Sequence, residues 1–171
     1  MNERGEHQLD PVELQAYFAL IEVSSLVRHE VEQQLRDAGD LSYVQFQLLA
    51  TLGDAPGGSR RMTELADGVV YSRSGLTYQV GLLERAGLVA RGVSEDDERG
   101  VTVTVTEAGH RRLAAVFPGH IAVLRQLLFD SLDRDDVEDL ARVLGKARGY
   151  MRTIPPRSAK PRRTAAKTKK K

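Results

Sequence analysis

The sequence predicts a mainly α-helical fold with one small β-hairpin. Three observations carry that prediction: apolar residues at helical spacing over most of residues 10–152, one stretch of strict period-two alternation at Val101–Thr106, and capping signals ahead of the helical stretches. With 171 residues and 41% hydrophobic content, the chain has material for about one domain with a real core. No run of eighteen apolar residues occurs, and Met1–Asp10 holds charges without an apolar stretch, so neither a membrane span nor a secretory signal is expected. The expected location is cytoplasmic. The absence of cysteine excludes disulfides, thiol nucleophiles and Cys-type zinc sites.

The first helix is expected to open at Asp10-Pro11-Val12-Glu13, with a side-chain acceptor at the N-cap, proline at N1 and a carboxylate at N3. Its apolar residues recur as Leu14, Tyr17, Phe18 and Ile21 and again as Leu20, Val23, Val27 and Val31. That arc is wider than one buried stripe requires, so the helix is expected to touch two bodies, its own domain and a second subunit. Gly39 and Asp40 end it, and Ser42 with Gln45 forms a second capping box ahead of Phe46, Leu49 and Leu52. The loop Gly53–Arg61, holding Pro56, Gly57 and Gly58, stops this second helix. A short helix from Thr63 to about Val69 then leads to Ser72, the expected N-cap of the next helix, and the pair forms a helix-turn-helix arrangement.

From Arg73 to about Ala86, Leu76, Val80 and Leu83 line one helix face, which turns Arg73, Ser74, Thr77, Tyr78 and Gly81 outward. Gly87 terminates that helix, and Leu88–Val93 reads as a strand. Beyond the polar segment Ser94–Gly100, the alternation over Val101–Thr106 predicts a second strand with valines toward a core and threonines toward water. A hairpin directly behind a helix-turn-helix is a wing. Thr106 can cap a long helix reaching about Ser131, with Leu113, Val116, Phe117, Ile121, Leu124 and Leu128 as its apolar face and a kink expected at Pro118-Gly119. A last helix starts at Asp133, with Asp136 at N3 and Val137, Leu140, Leu144, Ala147 and Met151 at helical spacing, and Pro155-Pro156 closes the folded part.

The net charge of +1 conceals an asymmetry, because residues 157–171 hold eight basic side chains and no acid. The remainder carries 17 basic and 24 acidic residues, a charge of −7, with Lys146 as its one lysine. Anion recognition in that acidic body must therefore rest on arginine, which suits bidentate phosphate and guanine contacts. The basic tail lacks large apolar residues and is expected to be disordered.

Several motifs occur in one order: Met62-Thr63-Glu64-Leu65-Ala66, then Gly87-Leu88-Val89-Ala90-Arg91, then Asp97-Glu98-Arg99-Gly100 ahead of Val103-Thr104-Val105-Thr106-Glu107-Ala108-Gly109. This series resembles the MarR family of winged helix-turn-helix regulators, with its T-x-x-E-L-A helix, G-L-V-x-R strand and D-x-R wing ahead of L-T-x-x-G. The fold class expected is thus mainly α with a small β-hairpin wing, a winged helix-turn-helix domain plus a helical dimerisation region. The resemblance implies a homodimer built through residues 10–38 and 107–152, with a DNA-binding winged domain at 42–106, a flexible N-terminus at 1–9 and a disordered basic tail at 153–171. Two positions depart from the family pattern: Tyr78 stands where the family often has arginine, and Gly81 interrupts the recognition helix at a cost of about 1 kcal/mol. A close approach of backbone to DNA is one reason for that glycine.

For double-stranded DNA the candidate contacts are Ser72, Arg73, Ser74, Thr77, Tyr78 and Gln79 at the start of the recognition helix, with Arg73 placed for a guanine. Taken alone, the same residues read as the solvated face of an amphipathic helix. In the wing, Asp97 and Arg99 are spaced for the carboxylate to orient a guanidinium into the minor groove, or simply to hold the hairpin as an exposed ion pair. Arg60, Arg61, Arg85 and Arg91 read equally as phosphate contacts or solvated arginines.

The resemblance also implies a small aromatic or anionic effector, for which His29, Tyr43 and Phe46 are the residues to inspect, with core packing as the competing role of Phe46. No metal site is expected, because His7, His29, His110 and His120 include no i, i+4 pair. No cofactor is expected either. The chain lacks a Gly-rich phosphate loop, a His-Glu metal motif and a G-x-S-x-G serine, which argues against an enzyme. The expected function is a dimeric transcription regulator, a repressor on the family pattern, bound to a pseudo-palindromic operator. An architectural DNA-binding protein driven by the basic tail is the alternative, and a protein-binding module using the acidic body is a third.

Overall fold

Side-chain caps set the helix starts in the computed structural model, which describes residues 8–68, 73–94 and 97–154. Asp10 Oδ1 accepts from the Val12 and Glu13 amides at 2.7 and 2.9 Å while Glu13 Oε2 accepts from the Asp10 amide, so α1 (Pro11–Gly39) opens with a complete capping box. Ser42 and Gln45 do the same for α2 (Tyr43–Gly53), and Asp133 and Asp136 for α6 (Arg134–Thr153). Between them run β1 (Ser59–Arg61), α3 (Met62–Gly68), α4 (Arg73–Arg85), β2 (Val89–Ser94), β3 (Asp97–Val105) and α5 (Glu107–Leu127), with short 3-10 turns at Pro56–Gly58 and Phe129–Ser131.

The chain divides after Leu128 into two units. In the first, Leu48, Leu49 and Leu52 of α2, Leu65 of α3 and Leu76, Val80 and Leu83 of α4 form one apolar cluster with Val89, Val103 and Val105 of the sheet. Val31 and Leu35 of α1 and Val116 of α5 join this cluster, and α5 packs along both α1 and α2. Glu107–Ser131 would suit a bilayer by length and composition alone, yet it contributes Val116 to this core and carries Arg111, Arg112 and Arg125. The second unit contains α6, whose Val143, Leu144, Tyr150 and Met151 are exposed and whose surface carries the ion pairs Arg134–Glu138 and Arg142–Asp139.

The structure refines four sequence expectations. First, α1 ends at Gly39–Asp40 as expected, with Gly39 as its last residue, buried where a Cβ would collide with Val116 Cγ1, and the left-handed turn on Asp40, at φ 50°. Second, the loop predicted over Gly53–Arg61 ends in a strand: β1 adds to the hairpin and makes a three-stranded antiparallel sheet ordered β1-β3-β2.

Third, the polar segment Ser94–Gly100 is mostly strand, since β3 begins at Asp97, opposite Ser94, after an irregularity between Val93 and Ser94. The longer strand changes the expected alternation: Val103 and Val105 are buried, Val101 is exposed, and Thr102 and Thr104 are half-buried against β1, where Thr104 Oγ1 lies 2.9 Å from Ser59 Oγ. Fourth, α5 holds Pro118 within it and ends at Leu127, with a 3-10 turn at Phe129–Ser131 where the helix was expected to reach about Ser131. Residues 1–7 of the expected N-terminal segment 1–9, residues 69–72, and residues 155–171 of the expected tail 153–171 lie outside the described residues.

Candidate nucleic-acid interface

The fold gives α4 one buried and one open face. Leu76, Val80 and Leu83 are each 1% exposed, whereas Ser74, Thr77 and Tyr78 point to solvent, Tyr78 with 62% of its surface free. Burial of three large apolar side chains fixes the rotation of the helix, so the hydroxyl-bearing face is turned outward by the core itself. An open groove of about 610 Å³ runs over that face, lined by Ser74, Thr77, Tyr78, Gly81, Arg85 and Arg91 together with Glu84.

The end of α4 is tied to the hairpin by backbone chemistry. Gly87, at φ 71°, supplies the left-handed residue, the Leu88 amide bonds the Leu83 carbonyl, and the Gly87 amide bonds the Glu84 carbonyl. Thr106 Oγ1 donates to the Gly87 carbonyl at 2.7 Å and accepts from the Gly109 amide at 3.1 Å. One side chain therefore caps α5 and pins the turn between α4 and β2.

The sequence-predicted DNA residues divide into three groups. Ser74, Thr77 and Tyr78 lie together on the open face. Gln79 does not join them: it is half-buried, and its Oε1 is shielded from solvent with no hydrogen-bond partner among the described residues. Ser72 lies outside the described residues, as do the side chains of Arg73, which opens α4, and of Asp97 and Arg99, which stand on β3 rather than in a loop.

Of the further arginines, Arg60 is half-buried on β1 opposite Val103, and its Nε is shielded. Arg91 reaches from β2 to α4, with Nη2 donating to the Thr77 carbonyl at 3.2 Å and Nε 3.4 Å from Glu84 Oε2. A Cβ on Gly81 would stand 3.2 Å from Arg91 Nη2, so the guanidinium lies close over this glycine.

The three effector candidates are spread along α1 and α2. His29 is exposed, Tyr43 is half-buried beneath the Arg28 guanidinium at 5.4 Å, and Phe46 is 6% exposed within the core. Phe46 packs instead on His120 of α5, ring centroids 4.5 Å apart, with Phe117 6.3 Å from the same imidazole. Burial pushes the pKa of His120 below the usual histidine value, and its Nδ1 is buried without a partner among the described residues. In the sequence this histidine stands out only as a metal-ligand candidate without an i, i+4 partner. Its spacing with Phe117, Ile121 and Leu124, on the apolar face of the helix, was the available signal.

A family model described as "MarR family" matches residues 39–100, from the end of α1 into β3. Among solved structures, AbsC, a MarR family transcriptional regulator from Streptomyces coelicolor, is 30% identical with a TM-score of 0.80, covering 86% of this chain and 99% of its own. Sco3205, a MarR family regulator from the same organism solved in complex with DNA, is 29% identical with a TM-score of 0.79, covering 92% of this chain and 96% of its own. The transcriptional repressor YetL of Bacillus subtilis is 27% identical over 127 residues, 74% of this chain and 75% of that protein. A mainly helical chain with a three-stranded wing sheet, alike in sequence and shape to AbsC along nearly its whole length, belongs to the MarR family of transcriptional regulators.

Proposed function

We propose that the protein is a cytoplasmic homodimeric repressor that reads a pseudo-palindromic operator, with recognition helix 72–86 in the major groove and the hairpin tip around 94–100 in the minor groove of each half-site. Half-sites about one helical turn apart follow from a two-fold dimer on B-DNA. The observation that carries the reading is the open face of α4, where Ser74, Thr77 and Tyr78 stand opposite three buried core residues, in a chain 29% identical to a regulator solved on DNA. Arg73, at the first position of α4, would supply a guanine contact, and Arg99, positioned by Asp97, the minor-groove contact. A small aromatic or anionic effector would release the complex. Arg28 over the Tyr43 ring, which places a cation beside an aromatic surface, supports this reading.

The test is fluorescence anisotropy on duplexes from upstream of the protein's own gene, with scrambled duplex as competitor. The full chain is compared with a truncation at Pro156 at two salt concentrations. The expected result is a site preference that survives truncation, with only the salt slope reduced, and a loss of about 1–3 kcal/mol at one base position in Arg73→Ala. Equal competition by scrambled duplex, or loss of all binding on truncation, would favour the architectural reading, in which the eight basic residues of the tail dominate.

A further inference from the structure

Gly81 lies within α4 at a position of ordinary helical backbone, where alanine is the better helix former. The space it leaves is filled from the wing. Arg91 of β2 lies across it, one guanidinium reaching both the Thr77 carbonyl (3.2 Å) and the Glu84 carboxylate (3.4 Å), seven residues and about two helical turns apart. A planar fork can serve two acceptors at such a separation in a fixed geometry, whereas a lysine ammonium is a single point of charge on a flexible stem.

We propose that Arg91 is a positioning residue for DNA recognition: seated over Gly81, it sets the angle between the recognition helix and the wing. The inference rests on the DNA-binding reading above and adds to it a residue that acts through geometry rather than by touching DNA. Because its charge is already engaged by Glu84 and Thr77, Arg91 contributes little to phosphate neutralisation. What it contributes is a common frame for two elements that enter adjacent grooves. Gly81 belongs to the same device, since any side chain there meets the guanidinium first.

The experiment measures operator affinity against salt for the full-length wild type, Arg91→Ala, Arg91→Lys and Gly81→Ala. Both Arg91 variants are expected to bind about tenfold more weakly, the scale of one mispositioned base contact, with the slope of log affinity against log salt unchanged. Gly81→Ala should weaken binding by a smaller factor, about threefold, while its thermal midpoint stays level or rises, because the substitution favours the helix and disturbs only the seat of Arg91. A slope reduced by about 0.9 in Arg91→Ala and restored in Arg91→Lys would overturn the proposal and make Arg91 a phosphate ligand. Unchanged affinity in both Arg91 variants would overturn it as well.

A second arm needs no DNA. Amide hydrogen exchange at residues 77–85 and 89–93 should rise together in Arg91→Ala and in Arg91→Lys, and unaltered exchange would remove the strut. This arm holds even if the wild type prefers no duplex, so failure of the DNA reading and failure of the strut are separately visible.

Discussion

The winged domain and the first half of α1 are built from similar apolar residues with opposite outcomes. Around α2, Leu48, Leu49 and Leu52 are fully buried by partners from α3, α4 and the sheet. Along α1, Val12, Tyr17, Phe18, Leu20, Ile21, Val23 and Leu26 are each more than 40% exposed, and burial begins only at Val31 and Leu35. Apolar exposure of that extent on one helix exceeds ordinary surface composition. The two regions thus differ in what buries them: the winged domain closes its core within one chain, whereas the start of α1 leaves its apolar face open. In the proposed function the second subunit covers that face.

The largest expected effect lies in the closed region. Leu49→Ala should lower the unfolding free energy by about 3 kcal/mol through lost burial and a residual cavity, and the loss, read from urea denaturation, should not depend on protein concentration. Phe18→Glu should do the reverse. It places a charge on the uncovered surface, costing the folded single chain almost nothing but weakening self-association by about 2 kcal/mol, roughly thirtyfold. Sedimentation equilibrium reads that shift directly. A wild-type chain that sediments as a monomer at all concentrations would remove the second subunit as the cover.

Most of the architecture was legible because its signals are local. Asp10, Ser42, Thr106 and Asp133 act within three residues of themselves, and Gly87 acts at its own φ, so helix starts and the α4 stop could be read directly. What was missed depends on contacts distant in sequence. Strand β1 is three residues long with two arginines, and only pairing with Thr102–Thr104, more than forty residues away, makes it a strand. Gly39 marks the end of α1 in the sequence, but that it also admits Val116 where a Cβ would collide depends on α5, far along the chain. The candidate site divides the same way: the open face of α4 followed from helical period, whereas Gln79 turning inward and Arg91 lying over Gly81 are tertiary facts.

A smaller effect sharpens the comparison from the α1 side. Asp10→Ala removes the acceptor for two amides and breaks the capping box, at a cost of about 1 kcal/mol. Those amides begin the helix half that has little cover of its own. The loss should therefore appear as faster hydrogen exchange over the first turns of α1 and as weaker self-association, while exchange at the α2 core residues stays as in the wild type.

The smallest effect tests the boundary of the closed core, where His120 brings a titratable ring against Phe46. Burial holds its pKa below the ordinary 6.5, so between those two values the unfolded chain binds a proton that the folded chain refuses. Above about pH 6.5 both states are neutral at this residue and it contributes no pH dependence. As pH falls below 6.5 the unfolded state gains the proton first, and stability is lost until the folded-state pKa is passed. His120→Phe keeps an aromatic ring against Phe46 and removes the titration. The informative quantity is the difference between the two stability curves, in which contributions common to both proteins cancel. The wild type should lose more stability than the variant between pH 7 and about pH 5.5. Parallel curves would mean that the imidazole protonates in place, with solvent reaching Nδ1, and that the α2–α5 contact is an open joint rather than part of the closed core.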